Sequence, residues 1–403
     1  MKILFVHEVN WRKKPIYEIH DYPELLSLRG HEISFIDFPE GEKLFRFRVF
    51  KNFKTNNFSK QSRAHKNSNV KLLTPGRVIF APFDRLVHSI TFVPLLLKTL
   101  RATKFDVIVL YGVPTNGWQT VLIAKLLRVP VLYRAIDVSY ELRKTRFRPM
   151  IKLAERIVCK FSDAVSVNNP SLAKHCISFG ASETSVTVDY PGLDLDRFSP
   201  KAKNETLKES LKINLDENVV VFMGTLYRFA GIAKLLELAT ETLRARPKTK
   251  FLILGDGEAR NEIETLISNS GLQNQVILTG FISYDDLPDY LNLADVAFNS
   301  FEIGVVTNNA LPWKVVQYLA CGLPTVATPL SGLTAYTGIA EDNGVTYRDL
   351  DSTFVTEIFA LLDNPTRRQE MAKRARDLVV TQSSWSNCLE RFENLLESMA
   401  KRK

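Results

Sequence analysis

A chain of 403 residues with 24% charged and 45% apolar side chains is long enough for two or three packed domains, and its composition excludes a disordered or collagen-like polymer. It carries 53 Lys and Arg against 44 Asp and Glu, a formal charge of +9 that points to an anionic partner without saying which. Four widely spaced cysteines, with no CxxC or Cys/His spacing, support neither a disulfide framework nor a zinc site and fit a reduced, cytoplasmic setting.

The N-terminal run, Lys2 to His7, reads as a buried strand, too short and too quickly polar for a secretory signal. Ile33 to Asp37 is the second strand. Residues 43–71 follow as an insertion with nine Lys and Arg and no Asp or Glu, in which Phe45, Phe47, Phe50, Phe53 and Phe58 interleave with the cations. Rings beside cations suit an anionic membrane surface, each basic group contributing about 1 kcal/mol near the headgroups; the alternative is a solvated loop with its rings folded back. Outside this arm the two signs of charge balance. No apolar run approaches the roughly 20 residues of a membrane span, so a membrane role would be peripheral, on the inner face.

Strands then recur at Asp106 to Leu110, Val129 to Arg134, Ala164 to Val167 and Val186 to Asp189, with helical patterns such as Trp118 to Leu127 between them. A polar, aperiodic stretch, 196–205, reads as a linker. Beyond it come strands at Val219, Phe251 to Leu254, Val276 to Leu278, Asp295 to Phe298 and Thr325 to Ala327, with the stripe Ile232, Leu235, Leu236, Ala239 and Leu243 in the first crossover. The expectation is an α/β protein of two doubly wound domains, 1–195 and 206–384, facing across a cleft, closed by an amphipathic helix over 385–403 that crosses back to the first domain.

Ligands of such sheets bind beyond the carboxyl ends of the strands. In the first domain the relevant turns hold Glu8 and Asn10, and Arg134 to Asp137; in the second they hold Gly224 to Gly231, Gly255 to Glu258, Gly280-Phe281 and Ser300 to Asn309. The turn from Gly224 offers backbone N–H groups to an anion, with Arg228 adding charge; the alternative is an ordinary βα turn in which Gly224 only permits close packing. Pro312, with Asn309 before it and Gly322 after Cys321, brackets a short helix on which Lys314 and Gln317 share a face. A lysine there suits a diphosphate and an amide one turn on suits vicinal hydroxyls; otherwise Asn309 is a cap and Lys314 is solvated.

The ordered set Arg29-Gly30-His31-Glu32, Ser162-Asp163-Ala164, Pro191-Gly192-Leu193-Asp194, Phe198-Ser199-Pro200, Gly224 with Gly231, Gly255-Asp256-Gly257-Glu258, Ala294-Asp295-Val296 and Ala320-Cys321-Gly322-Leu323-Pro324 resembles the GT-B glycosyltransferases, retaining family 4, group 1 type. The resemblance implies transfer of a hexosyl group from a nucleoside diphosphate sugar with retention, no metal and no cofactor, and an acceptor that is a glycan or lipid-linked. The family's Arg and Lys in the first glycine turn correspond to Thr225 and Ala230, its paired glutamates to Asn309 and Gln317, and its histidine after the fourth strand to Ile136. Arg228 and Lys314 are catalytic candidates by their nearness to these motifs rather than by a direct match, and Asp137 is the third, as what remains of the family's pair after the fourth strand. Gly224, Thr225, Phe281, Glu302, Gly304, Asn309 and Gln317 are expected at the donor, with Glu8 and Asn10 on the acceptor side. Two rivals are a non-catalytic sugar-nucleotide-binding member and a nucleotide-sugar 2-epimerase, which would want a cleft richer in His than His7 alone. Nucleic acid is not an expected partner, since no recognition motif accompanies the charge.

Overall fold

Valine- and isoleucine-rich runs become parallel strands here because helices cover both of their faces. The computed structural model describes residues 1–14, 16–38, 55–76, 84–140, 146–338 and 343–401, and divides into two units: Met1–Pro191 with Ser386–Lys403, and Gly192–Trp385.

In the first unit the strands are β1 (Lys2–Val6), β2 (Glu32–Ile36), β3 (Asn56–Gln61), β4 (Val70–Thr74), β5 (Val107–Leu110), β6 (Val131–Ala135), β7 (Ala164–Val167) and β8 (Val186–Val188). They lie in the order β3-β4-β2-β1-β5-β6-β7-β8, all parallel except the edge pair β3/β4. Strand order reverses between β1 and β5. In the second unit β9 (Asn218–Met223), β10 (Thr249–Leu254), β11 (Val276–Gly280), β12 (Val296–Asn299), β13 (Thr325–Ala327) and β14 (Val345–Tyr347) lie in the order β11-β10-β9-β12-β13-β14, all parallel, with the reversal between β9 and β12. Both units are therefore Rossmann-like.

The expected strands are present. β3, β4 and β14 lack a sequence counterpart: β3 is a polar edge strand and β14 has only three residues. The boundary also moves. Residues 192–205, read in part as linker, belong to the second unit, where Phe198 is fully buried, Arg376 donates to the carbonyls of Leu195 and Phe198, and Lys203 pairs with Asp295 at 2.7 Å. Polarity without periodicity is what a docked, irregular segment shares with a free linker. The last helix, Trp385–Lys401, buries Leu389, Phe392, Leu396 and Met399; Phe392 stacks on Tyr22 of the first unit with 4.2 Å between ring centroids, and Glu393 meets His31 at 2.6 Å.

Lys43–Lys54 of the basic arm lie outside the described residues. The rest of the arm is not free. Glu24, fully buried on the helix Glu18–Leu28, accepts from the backbone N–H groups of Arg63, Ala64 and His65 at 2.7, 2.9 and 2.6 Å. Arg63 donates to the carbonyls of Trp11 and Lys14, and His65 meets Asp21 at 2.9 Å. An acidic helix face thus holds this half of the arm to the domain, while Lys60, Lys66 and Lys71 stay exposed. No helix among the described residues is long and apolar enough to cross a membrane.

Candidate active site

In the second unit the site is set by how closely the glycine turns approach. Gly224 follows β9 with φ +138° and Gly255 follows β10 with φ +141°; a Cβ on Gly255 would lie 1.9 Å from the Gly224 carbonyl oxygen. Close packing is therefore one function of these glycines, and the two turns are locked by Leu226 N–H donating to Asp256 O and Ala259 N–H to Leu226 O. The second function lies on the other side of Gly224. A Cβ there would meet the Lys314 Nζ at 2.8 Å, so glycine leaves the room that the ammonium occupies.

Lys314 is on the helix Trp313–Ala320. Pro312 is its N-cap, and Gly322, with φ +69°, ends it in a Schellman motif: Leu323 N–H donates to Tyr318 O at 2.9 Å and Gly322 N–H to Leu319 O at 3.0 Å. Tyr318 is buried and its hydroxyl accepts from Met223 N–H at 2.6 Å, which fixes the helix to the end of β9. The Lys314 ammonium consequently lies over the rings of Phe222 and Phe301, 4.0 and 4.3 Å from their centroids, and among the described residues it has no hydrogen-bond or ion-pair partner. The residue as a whole is only half-buried, but its tip is desolvated, and this pulls its pKa from 10.5 down to about 7. A cation held like this is short of an anion.

Gln317, one turn on, is buried, and no hydrogen bond among the described residues engages its amide. Asn299, at the end of β12, is fully buried with neither amide atom paired. The register Val296↔Val220, Ala297↔Val221, continued, places Asn299 level with Met223, at the strand-order reversal. Sequence reasoning missed Asn299; a buried amide closing an apolar strand, just before Ser300, is the signal that would have found it.

Other expected donor residues are less engaged. Thr225 and Arg228 are exposed, and among the described residues no hydrogen bond or ion pair engages the Arg228 guanidinium. Phe281 is 75% exposed beyond β11. Glu302 is exposed and lines a second pocket of about 480 Å³ with Lys234, Asp349 and Asp351. Gly304 N–H donates to Thr307 Oγ1 at 2.8 Å at the start of the single turn Val305–Asn308. Asn309, expected at the donor, does not take the alternative role of a cap on the lysine helix: its Nδ2 donates back to Val305 O at 2.7 Å. Its neighbour Asn308 does the positioning, accepting from Ser331 N–H and Oγ–H.

In the first unit, at the reversal between β1 and β5, a pocket of about 200 Å³ is lined by His7, Glu8, Tyr17, Tyr111, Ile136 and Asp137, among others. Glu8 departs from the free acceptor contact expected of it: its two carboxylate oxygens accept from Thr115 N–H at 2.8 Å and Thr115 Oγ–H at 2.9 Å. Asn10 is not part of the lining, because its Oδ1 accepts from Arg12 and Lys13 N–H in a local turn. His7 was not assigned a role. Its Nδ1 accepts from Glu8 N–H at 2.6 Å, leaving the proton on Nε2, 3.4 Å from Tyr17 Oη, and burial followed by the charge of Lys14 lowers its pKa to about 3. It is a neutral donor, not a switch.

Asp137 is different. Desolvation, then the charge of Glu18, raises its pKa from 3.8 to about 7, and among the described residues nothing hydrogen-bonds its carboxyl. Because the folded value exceeds the unfolded one, the stabilising protonated form is full below about 4 and is lost as pH rises through about 7. Asp137→Asn, which fixes the neutral form, is expected to melt like wild type in acid and above it at alkaline pH. The melting temperatures of both proteins across that window check this; a constant difference would remove Asp137 as the titrating group.

Residues 203–378 match the family model described as Glycosyl transferases group 1, and residues 23–197 match Glycosyltransferase Family 4. The chain is 27% identical over 192 residues to the alpha-D-kanosaminyltransferase of Streptomyces kanamyceticus, covering 46% of this chain and 47% of that protein. It is 23% identical over 270 residues to the alpha-monoglucosyldiacylglycerol synthase of Acholeplasma laidlawii, covering 62% and 66%. The chain spans about half the length of the first curated relatives it matches. The crystal structure of Anabaena HepE in complex with UDP superposes with a TM-score of 0.73 at 16% identity, covering 99% of this chain and 100% of the other, which places the fold among the GT-B structures.

Proposed function

The chain belongs to the group 1 glycosyl transferases of the GT-B fold, and on that premise we propose that it moves a sugar from a nucleoside diphosphate sugar to an acceptor hydroxyl, with retention and without a metal. The observation that carries the proposal is the Lys314 ammonium beside the Gly224 turn, desolvated and, among the described residues, without an anionic partner. A diphosphate supplies the missing charge. Gln317 then offers its amide to donor hydroxyls, and Phe281 a ring surface beside the base.

As the C1–O bond to the diphosphate breaks, charge develops on the departing oxygen and Lys314 stabilises it; Arg228, exposed on the same turn, adds a second cation. The acceptor oxygen bonds to C1 on the face that the diphosphate leaves, and its proton passes to the departing phosphate oxygen. Asp137 and His7, in the first unit, provide hydrogen-bonding groups for sugar or acceptor hydroxyls. The acceptor is proposed to be a glycan or a lipid-linked glycan. A relative named for a glucosyl diacylglycerol product supports the lipid-linked form, and the cations of residues 43–71 would favour an anionic membrane surface.

A thermal-shift screen of UDP-, GDP- and ADP-sugars tests the donor reading: stabilisation by one nucleotide class is expected, and none by any would defeat it. A sharper check uses the lowered Lys314 pKa. The diphosphate of a nucleotide sugar carries no proton that titrates near neutrality, so binding above pH about 7 should draw a proton onto Lys314. Affinity should fall by up to about tenfold per pH unit above that point, and Lys314→Met should abolish the slope. Calorimetry in buffers of different ionisation enthalpy reads the proton uptake directly.

A further inference from the structure

Two neighbouring helices of the first unit turn an unusual surface to solvent. Trp118, Leu122 and Leu126 recur four residues apart on the helix Gly117–Leu126 and are 36%, 40% and 80% exposed. On the helix Arg148–Phe161, Met150 and Leu153 are 61% and 59% exposed. The inner faces of both helices, through Val121, Ala124, Ala154 and Val158, belong to one core cluster on one side of the sheet. They pack side by side, and Lys125 Nζ lies 4.9 Å above the Phe161 ring. Their outer faces are therefore contiguous.

Charge decides what such a face fits. The first helix has no acidic residue, and the second has only Glu155, which is buried and accepts from Tyr140 N–H at 3.1 Å and His175 Nε2 at 3.0 Å. Lys125, Arg156 and Lys160 are exposed on the same two helices, and Lys152 is half-exposed beside them. The cations flank the apolar stripe. Lys152 lies over the ring of Tyr140 at 5.3 Å, and Arg156 over that of Phe179 at 5.4 Å. Within these two helices a protein partner for the apolar stripe would meet only cations among the exposed charges, whereas an anionic bilayer offers an apolar layer immediately under a negative one.

We infer that the paired helices Gly117–Leu126 and Arg148–Phe161 form the surface that seats the first unit on an anionic lipid bilayer, Trp118, Leu122 and Leu126 entering the headgroup boundary and the cations meeting phosphates. The inference deepens the membrane part of the proposed function by locating the contact, and it does not require the catalytic reading. It also moves the main contact away from residues 43–71.

The full chain should cosediment with phosphatidylglycerol vesicles and much less with phosphatidylcholine vesicles. Trp118 fluorescence should shift to the blue on the former, a shift that Trp118→Phe removes. Replacing Trp118, Leu122 and Leu126 together by Gln should abolish cosedimentation, and Lys152→Gln, Arg156→Gln and Lys160→Gln together should weaken it by roughly a hundredfold. Because all six side chains lie at the surface, unchanged melting temperatures will confirm that the variants fold. Full binding by the Gln variants overturns the inference, as does loss of binding on neutralising only Lys43, Arg46, Arg48, Lys51 and Lys54. Self-association through Trp118 without lipid binding also overturns it. Nucleotide-sugar binding, measured on the same variants, should not change, which separates this surface from the donor site.

Discussion

Lys314→Met should lower kcat by roughly 10²–10³ while leaving the fold at least as stable as wild type. The activity loss follows from position: the ammonium sits 4.0 Å from the Phe222 centroid and 4.3 Å from that of Phe301, in surroundings that weaken its own ionisation. Charge in such surroundings interacts with a developing oxyanion far more strongly than charge in water. Stability should not suffer, since an unpaired desolvated cation opposes folding and an apolar side chain of similar length removes that cost. Lys314→Arg should not rescue activity, because the planar guanidinium is wider than the space left by Gly224. Steady-state kinetics beside thermal melts would separate the two effects. A proportional fall in both would mean that Lys314 is structural.

Glu18→Gln should destabilise the protein by roughly 3–5 kcal/mol, because it leaves a guanidinium buried without its counter-charge. Arg134 is fully buried. Its Nε and Nη2 donate to the two Glu18 carboxylate oxygens at 3.0 and 2.9 Å, and Nη1 donates to Ser166 Oγ and Asp189 O, both at 2.8 Å. Burial works against the charge on Arg134, yet the Glu18 carboxylate more than offsets it, and the net direction of its pKa is upward. A melting-temperature drop of roughly 10 °C is expected. The double variant Glu18→Gln with Arg134→Met should recover part of it, since no unpaired charge then remains. A drop in the double variant equal to the sum of the two single ones would show that the pair is not coupled.

This ion pair also marks where sequence reading stops. Glu18 and Arg134 are 116 positions apart, and Arg134 was read only as the border of a turn. A charged residue in a strand gives no sign of its partner until the sheet brings the helix Glu18–Leu28 over it. The parallel strands were legible because both faces are buried and the runs are nearly all apolar. β3 was not, because Asn56–Gln61 pairs only at an edge and buries little. The basic arm misled for a related reason: its cations are visible in the chain, but Glu24 and Asp21, which hold its second half, lie roughly 40 residues earlier on a helix.

At the proposed donor site Lys314 and Gln317 were legible as a pair on one helical face, and Gly224 as the neighbouring turn. The physical form of that relation was not. That Gly224 leaves room for an ammonium, and that two phenylalanine rings enclose it, depends on how the helix Trp313–Ala320 is pinned through Tyr318 to β9. Glu8, chosen for its place after β1, turned out to fasten the start of the next crossover through Thr115. A carboxylate at a strand end is open to either use, and only the neighbouring N–H groups decide between them.

Nucleoside diphosphate release by the purified chain from UDP-, GDP- and ADP-sugars, with Lys314→Met measured alongside, tests whether the Lys314 site cleaves a nucleotide sugar. Release from one nucleotide class, reduced at least a hundredfold in the variant though it still binds the donor, is the expected result. Donor binding without release from any sugar, or equal release by both proteins, would contradict it.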